Sequence, residues 1–336
     1  MVITINRREL ILGTSVIGLN TLLPPRSWAG GIDDIPRSDY GFATTAEEVA
    51  ANIDLTGKTV FISGCNSGLG YESMRVMADR GAHVIGAARN MEKAVTSCES
   101  IEGKTTPVVC ELTDFDSVVA CSERVKSLDE PIDILMNNAG IMALPKLEQV
   151  YGLEKQFVVN HLGHFLLTNL LLSRVEAASE GRIVVMSSIG YRNAPKKEGI
   201  QFDNLSGEKS YSPFVAYGQT KLANALFAFE LARRYEGTSV AANAVHPGFV
   251  ATELGRHMRG GKPRDPDEPL RKGFKTTDQG ASTQVYVAIE PALKGVSGYY
   301  FEDCNPVEPT GPHMHDTELA AKLWQVSEEL TADYLS

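Results

Sequence analysis

Short apolar runs alternate with segments of helical periodicity from about residue 55 to the C-terminus. Two of the helical segments end at Gly81 and Gly237, where glycine can adopt the left-handed conformation that closes a helix. This alternation of strands and helices predicts one α/β domain, residues 55–336, with a Rossmann-type, doubly wound parallel sheet of seven strands and helices on both faces. The predicted strands are Thr59–Ser63, His83–Ala87, Pro107–Cys110, Ile132–Asn137, Arg182–Ser187, Ser239–Val245 and Gly298–Phe301.

Two stretches interrupt this alternation. Residues 30–54 have no clear period and are predicted to be an irregular lead. Residues 256–275 contain three glycines and three prolines and follow the sixth strand, at the sheet edge where open α/β folds bind ligands. This second stretch is interpreted either as a mobile loop over a ligand site or as a solvated surface insertion.

The first 29 residues have the pattern of an export signal. Arg7 and Arg8 precede an apolar stretch, Leu10–Leu23, and a small-residue site at Ser27-Trp28-Ala29. This resembles a twin-arginine signal, and the apolar stretch is shorter than the roughly 20 residues that span a bilayer. We expect export to the periplasm without a stable membrane anchor, and the alternative is a cytoplasmic protein with an amphipathic or disordered N-terminus.

Composition excludes several functions. Hydrophobic residues make up 43% of the chain and charged residues 22%, typical of a soluble globular protein with a sizeable core. The net charge of −10, without a basic stripe, argues against a nucleic-acid partner. The five cysteines form neither a C-x-x-C pair nor a cluster with histidines, so no metal site is predicted, and their spacing selects no disulfide.

A glycine-rich turn directly follows the first strand and opens a helix. Its spacing, G-x-x-x-G-x-G, lets the backbone approach a pyrophosphate, whose charge the helix N-terminus stabilises. The predicted cofactor contacts in this turn are Gly64, Asn66, Ser67, Gly68, Leu69 and Gly70.

Cofactor choice depends on the residue after the second strand. A carboxylate there accepts hydrogen bonds from the ribose of NAD, whereas a basic side chain pairs with the 2′-phosphate of NADP. The chain has Arg89 at this position and no carboxylate. We therefore expect NADP(H), and the alternative is a structural arginine that caps the strand end.

The spacing Tyr217-x-x-x-Lys221 indicates proton transfer at a carbonyl or alcohol. A phenol has a pKa near ~10, so it exchanges protons near neutral pH only if a cation stabilises its phenolate. Lys221 lies one helical turn later, and Ser188 precedes Tyr217 by 29 residues. Tyr151 and Lys155 have the same spacing, but they come before any strand that could present a serine.

Ordered motifs resemble those of the short-chain dehydrogenase/reductase family, and most of all its branch of retinol-dehydrogenase-like and WW-domain-oxidoreductase-like proteins. The motifs are the glycine turn, Asn137-Asn138-Ala139-Gly140, Asn160-His161-Leu162-Gly163-His164-Phe165, Ser187-Ser188, Tyr217-x-x-x-Lys221 and His246-Pro247-Gly248 running to Thr252. The resemblance implies that Asn160, Ser188, Tyr217 and Lys221 are catalytic. It also implies cofactor contacts from Asn138, Ala139, Gly140, Tyr217, Lys221, Pro247, Gly248 and Thr252, and from Glu111 and Leu112 beside the adenine.

In that family the asparagine holds a proton-relay water beside the lysine. Glu111 stands where the family usually has Asp, and Ser63 where it usually has Thr. We expect His161 and His164 to serve packing rather than chemistry.

The resemblance implies a lipophilic aldehyde, ketone or alcohol as the small-molecule substrate. It also implies a homodimer or homotetramer through the helices of Asn160 and Tyr217, although the sequence leaves the assembly open. The alternatives are a non-catalytic NADP-binding redox sensor or interaction module and a protochlorophyllide-reductase-like enzyme.

Overall fold

A computed structural model describes residues 31–265 and 268–335. The predicted twin-arginine segment, residues 1–29, lies outside this range. Within the range the chain forms a Rossmann-type α/β domain, as predicted, built on one eight-stranded sheet with the order β12-β11-β8-β7-β4-β1-β2-β3. The strands are β1 (Thr59–Ser63), β2 (His83–Ala88), β3 (Thr105–Val109), β4 (Ile134–Asn137), β5 (Gln149–Val150), β6 (Leu153–Glu154), β7 (Gly181–Met186), β8 (Val240–His246), β9 (Phe249–Val250), β10 (Phe274–Lys275), β11 (Tyr300–Glu302) and β12 (Asn305–Pro306).

All seven predicted strands are present, with ends shifted by a few residues, but the predicted strand count was one too low. The eighth strand, β12, has two residues and pairs antiparallel with β11, while the other strands of this sheet run parallel. Pro306 lies in β12, and proline is tolerated there because the strand is at the sheet edge. Strands β5 with β6 and β9 with β10 form two small separate pairs.

Helices cover both faces of the sheet. The α-helices are α1 (Ala46–Ala50), α2 (Gly68–Asp79), α3 (Met91–Glu99), α4 (Phe115–Lys126), α5 (Lys155–Phe157), α6 (Gly163–Glu176), α7 (Pro213–Arg234), α8 (Thr277–Ile289) and α9 (Thr317–Thr331). A π-helical turn, Val158–Leu162, joins α5 to α6. Apolar side chains of α4, α6, α7 and α9 form the core on one face, and those of α1, α2, α3 and α8 form the core on the other.

The two stretches without period contain more structure than predicted. The lead forms α1, because Thr45 and Glu48 make a reciprocal capping box at its first turn. The stretch at 256–275 begins inside a 3₁₀ helix, Glu253–Arg259, and ends in β10, which pairs with β9.

The C-terminal helix α9 packs on α7 and also contacts Phe165 of α6. Trp324 packs edge-on against Phe165, with ring centroids 5.0 Å apart, and the guanidinium of Arg234 lies 4.1 Å from the centre of an indole ring. Residues 217–228 of α7 are buried throughout.

Three observations concern membranes, metals and disulfides. In residues 31–265 and 268–335, no helix combines the length and the apolar character needed to cross a bilayer. The same residues bring together no group of three or more histidine, cysteine, aspartate or glutamate side chains able to bind a metal ion. All five cysteines are buried free thiols.

Candidate active site

Four loops meet at the carboxyl edge of the sheet. They follow β1, β4, β7 and β8, and these strands are neighbours in the order β8-β7-β4-β1. Because parallel strands all end at the same edge, the glycine turn, the Asn138–Gly140 segment, Ser188 and the Pro247–Gly248 turn are placed side by side. Helix α7 is held to this edge, since Ser187 Oγ donates to the Lys221 carbonyl oxygen at 2.7 Å.

Tyr217 and Ser188 both lie against Gly190. A β-carbon built on Gly190 would be 2.8 Å from Tyr217 Cε1 and 3.4 Å from Ser188 Oγ, so both side chains pack against the same point. The Gly190 N–H donates to Ser188 Oγ at 3.1 Å, which fixes the serine rotamer. The structure therefore brings together the two hydroxyls that the sequence predicts to share a substrate oxygen.

Burial shifts the pKa values of Tyr217 and Lys221 in opposite directions. Burial raises the pKa of this phenol to about 12, and the interaction with Ser188 lowers it only in part. Burial also lowers the pKa of Lys221 to about 7. Desolvation disfavours the charged form of both side chains, so burial opposes the acidification of Tyr217 that the sequence predicts. At neutral pH Tyr217 therefore holds its proton.

Lys221 lies beneath Tyr217, one turn further along α7. Its Nζ is 5.5 Å from the centre of the Tyr217 ring and donates to the Met186 carbonyl oxygen at 3.0 Å. Lys221 Nζ would also lie 4.0 Å from a β-carbon built on Gly140. The ammonium group thus lies between the end of β7 and the loop after β4.

Asn160 lies on the other side of this loop, in the π-helical turn. Its Oδ1 accepts from the Ile141 N–H at 2.8 Å, and its Nδ2 donates to the Ile141 carbonyl at 2.9 Å and to Thr220 Oγ1 at 3.0 Å. A β-carbon on Gly140 would be 3.2 Å from Asn160 Oδ1. Asn160 and Lys221 therefore flank the same glycine.

The glycine turn has the shape required for a bound pyrophosphate. Gly64 and Gly68 have φ of +73° and +58°, which side-chain-bearing residues rarely adopt. A β-carbon on Gly70 would overlap the Gly64 carbonyl oxygen and lie 2.5 Å from Asn138 Nδ2. Thr252 faces this turn, with Cγ2 3.6 Å from a β-carbon built on Gly68. These residues fit a dinucleotide laid across the N-terminus of α2.

The other predicted cofactor residues surround this turn. Asn66, Ser67 and Leu69 belong to the turn and the start of α2, Ala139 packs against Gly64, and Arg89 is exposed directly after β2. The Glu111 carboxylate accepts from the Thr113 N–H and hydroxyl at 3.0 and 2.8 Å. Leu112 is buried against Gly163, so its side chain belongs to the core.

The Pro247–Gly248 turn packs against a buried lysine, Lys275, which the sequence analysis did not identify. Lys275 is fully buried behind Gly248, with its Cδ 3.0 Å from a β-carbon built there, and its Nζ pairs with Asp303 at 2.5 Å. No local pattern marks this lysine, because it comes from a strand that follows the turn by almost 30 residues in sequence. Gly190 was also missed, although its position two residues after Ser188 is a local signal.

The second Tyr/Lys pair is structural. Tyr151 stacks on Phe115, with ring centroids 4.6 Å apart, and its hydroxyl accepts from the Phe115 N–H. Lys155 pairs with Glu148 at 2.8 Å. Neither side chain contacts the site.

Comparisons with known proteins agree with this geometry. A family model described as short chain dehydrogenase matches residues 58–199. The chain is 42% identical to "Short-chain dehydrogenase TIC 32 B, chloroplastic" of Brassica napus, over 88% of this chain and 95% of that protein. It is 40% identical to retinol dehydrogenase 14 of Homo sapiens, over 81% and 85%. A solved structure of an uncharacterized protein from Mycobacterium Paratuberculosis matches with a TM-score of 0.67 and 33% identity, over 84% and 97%.

Proposed function

Because this chain belongs to the short-chain dehydrogenase/reductase family, and is thus an oxidoreductase that acts on CH–OH groups, we propose that it interconverts a lipophilic carbonyl compound and its alcohol with NADP(H). The observation that carries this proposal is the packing of Tyr217 and Ser188 against Gly190, with Lys221 buried beneath. The Tyr217 hydroxyl also interacts with the Ser188 side chain, and two neighbouring hydroxyls suit an oxygen that gains negative charge during reaction.

Each of the four predicted catalytic side chains has a separate role in binding the substrate oxygen or in moving its proton. The bound nicotinamide supplies the hydride in reduction and accepts it in oxidation. Ser188 donates a hydrogen bond to the substrate oxygen. Tyr217, protonated at neutral pH, gives its proton to that oxygen in reduction; in oxidation the phenol first passes its own proton towards Lys221, and the resulting phenolate accepts the proton of the alcohol. Lys221 and Asn160, on either side of Gly140, are placed to return the proton to the phenol.

Arg89 supports the preference for NADP(H). It is exposed directly after β2, and the neighbouring Asn90 caps α3 by accepting from the Lys93 N–H at 3.0 Å. A guanidinium at the end of the second strand suits a 2′-phosphate, with which it can form two charge-assisted hydrogen bonds.

Exposed apolar side chains support a lipophilic substrate. Phe249 is 58% exposed directly after the Pro247–Gly248 turn, Met258 is 56% exposed, and Phe214 at the start of α7 is 46% exposed. The Phe249 ring lies 6.0 Å from that of Phe274 and 6.2 Å from that of His246. Exposed apolar groups beside a reaction centre are typical of a surface that contacts an apolar ligand.

The proposal is tested by following NADPH oxidation, and NADP reduction in the other direction, with a panel of long-chain aldehydes, ketones and alcohols. We expect steady turnover with apolar members of the panel and a higher kcat/KM with NADP(H) than with NAD(H). Tight NADPH binding without turnover on any member would favour a redox sensor or interaction module instead. Equal kcat/KM with both coenzymes would refute the NADP assignment.

We also propose that residues 1–29 export the folded protein to the periplasm. The support is the Arg7-Arg8 pair followed by the short apolar stretch. Cell fractionation tests this: a shortened protein in the periplasm is the expected result. A full-length protein found only in the cytosol would contradict it.

A further inference from the structure

His164 connects two walls of the active site from inside the core. Its side chain is fully buried one turn after Asn160, and each ring nitrogen has a partner. Nδ1 lies 3.1 Å from the main-chain carbonyl oxygen of Asn160, and Nε2 lies 2.8 Å from Ser63 Oγ. Ser63 ends β1, whereas Asn160 belongs to the π-helical turn, so one imidazole spans the space between them.

The partners determine which nitrogen carries the proton. A carbonyl oxygen can only accept, so Nδ1 of His164 must be the protonated nitrogen. Burial lowers the pKa of His164 to about 4, so the ring is neutral at pH 7 and Nε2 has a free lone pair. Nε2 therefore accepts the hydroxyl proton of Ser63, whose other acceptor, the Met136 carbonyl, is further away at 3.4 Å.

The network continues from Ser63 to the cofactor side of the site. Ser63 Oγ accepts from the main-chain N–H groups of Asn138 and Ala139, both at 3.0 Å. Asn138 Nδ2 donates to the Ser63 carbonyl at 2.9 Å. The hydrogen bonds thus run in one direction, from the backbone of Asn138 and Ala139 through the Ser63 hydroxyl and the His164 ring to the Asn160 carbonyl. A network with every donor and acceptor assigned is rigid.

We propose that His164 is a positioning residue: by holding the Asn160 carbonyl it fixes the π-helical turn relative to the cofactor wall, and with it the Asn160 side chain that flanks Gly140 opposite Lys221. This inference rests on the proposed function, because it gives His164 a role in that same reaction. It differs from the expectation that both histidines of the motif only pack. The Nδ1–H bond to the carbonyl performs this role, and the Nε2 bond to Ser63 orients the ring.

His161 provides a matched control on the preceding turn. It is equally buried, but it contacts the rings of Phe157 and Phe227, with centroids 5.2 and 5.8 Å away, and its Nε2 lies 2.9 Å from Ser327 Oγ. Ser327 belongs to α9, so this contact of His161 leads into the helix layer, whereas the contacts of His164 lead to β1 and the Asn160 carbonyl. His164→Phe removes the hydrogen bonds to Ser63 and to the Asn160 carbonyl. His161→Phe removes a buried imidazole of the same size whose hydrogen bond goes to α9. Comparing the two variants separates loss of the His164 hydrogen bonds from the general effect of replacing a buried histidine.

The experiment compares His164→Phe, His164→Asn, His164→Gln and His161→Phe in the full-length enzyme. The amide nitrogen of Asn can replace Nδ1 and donate to the Asn160 carbonyl, whereas Gln reaches only toward Ser63. We expect His164→Phe and His164→Gln to lower kcat at least ~10-fold with KM changed less than about threefold, since a transition-state arrangement is lost and binding is not. We expect His164→Asn to retain kcat within about threefold and His161→Phe to lower Tm without lowering kcat.

A spectroscopic measurement tests the link without turnover. In protein labelled with ¹⁵N-histidine, the His164 resonances, assigned by their loss in His164→Phe, should show the Nδ1–H tautomer. Ser63→Ala should shift them and Ser63→Thr should not, because threonine keeps the hydroxyl. The Nε2–H tautomer would overturn the proposal, as would unchanged kcat in His164→Phe or an equal loss in His161→Phe. An enzyme inactive on every carbonyl would refute the proposed function, while the tautomer would still decide the His164 link.

Discussion

Gly190→Ala should displace the Tyr217 ring while leaving its hydroxyl in place on the side chain, so this variant tests how much the rate depends on the position of that hydroxyl. The new methyl group would lie 2.8 Å from Tyr217 Cε1 and 3.2 Å from Cδ1. Ordinary carbon contacts are about 3.5–4.0 Å, so the ring must retreat by roughly 0.7–1.2 Å from residue 190. The φ of Gly190 lies outside the left-handed region, so alanine introduces no backbone strain there.

A displacement of this size should lower kcat roughly 100-fold, because reacting groups tolerate misplacement poorly. Overpacking costs about 1–3 kcal/mol of folding free energy, so the variant should remain folded. The assay is NADPH oxidation at saturating carbonyl substrate, with Tm measured in parallel. Gly41→Ala is the control, since a β-carbon on Gly41 meets nothing within 4 Å. Wild-type kcat in Gly190→Ala would refute the reasoning.

Two further predictions concern the cofactor and acid stability. Arg89→Ala should raise the KM for NADPH at least ~10-fold and change that for NADH less than twofold, because only NADP(H) offers a 2′-phosphate; equal effects on both would contradict the assignment. Burial alone would raise the pKa of Glu130, but hydrogen bonds from His83, Lys104 and Thr59 hold it at about 2. Because this folded-state pKa lies below the ordinary 4.5, the stability it contributes is present above pH 4.5 and lost as pH falls toward 2. Glu130→Gln should flatten the Tm profile in that window, and an unchanged profile would argue against this contribution.

Local sequence patterns accounted for most of the fold. Each predicted strand is an apolar run bounded by turns, and such runs are recognisable without tertiary information. Strand β12 escaped notice because two residues, one of them Pro306, carry no period. Helix α1 was missed for a related reason: five residues are too few for periodicity, and only the Thr45–Glu48 capping box marked it.

The site was predictable in its residues and not in its electrostatics. Motif spacing identified Tyr217, Ser188 and Lys221, and the structure places all three at one sheet edge. The raised pKa of Tyr217 and the lowered pKa of Lys221 follow from burial by surrounding elements, which spacing does not encode. His161 and His164 look equivalent in sequence, yet their partners differ, because the fold brings Ser63 of β1 to His164 and Ser327 of α9 to His161, and sequence spacing encodes neither contact.

The most direct test of the account is turnover by Tyr217→Phe at saturating NADPH and carbonyl substrate. Tyr151→Phe is the matched control, because Tyr151 has the same spacing to a lysine but stacks on Phe115 outside the site. We expect Tyr217→Phe to lose at least ~1,000-fold in kcat while it binds NADPH within about threefold of wild type, and Tyr151→Phe to keep its kcat. Undiminished turnover in Tyr217→Phe would contradict the assignment of this phenol as the proton donor.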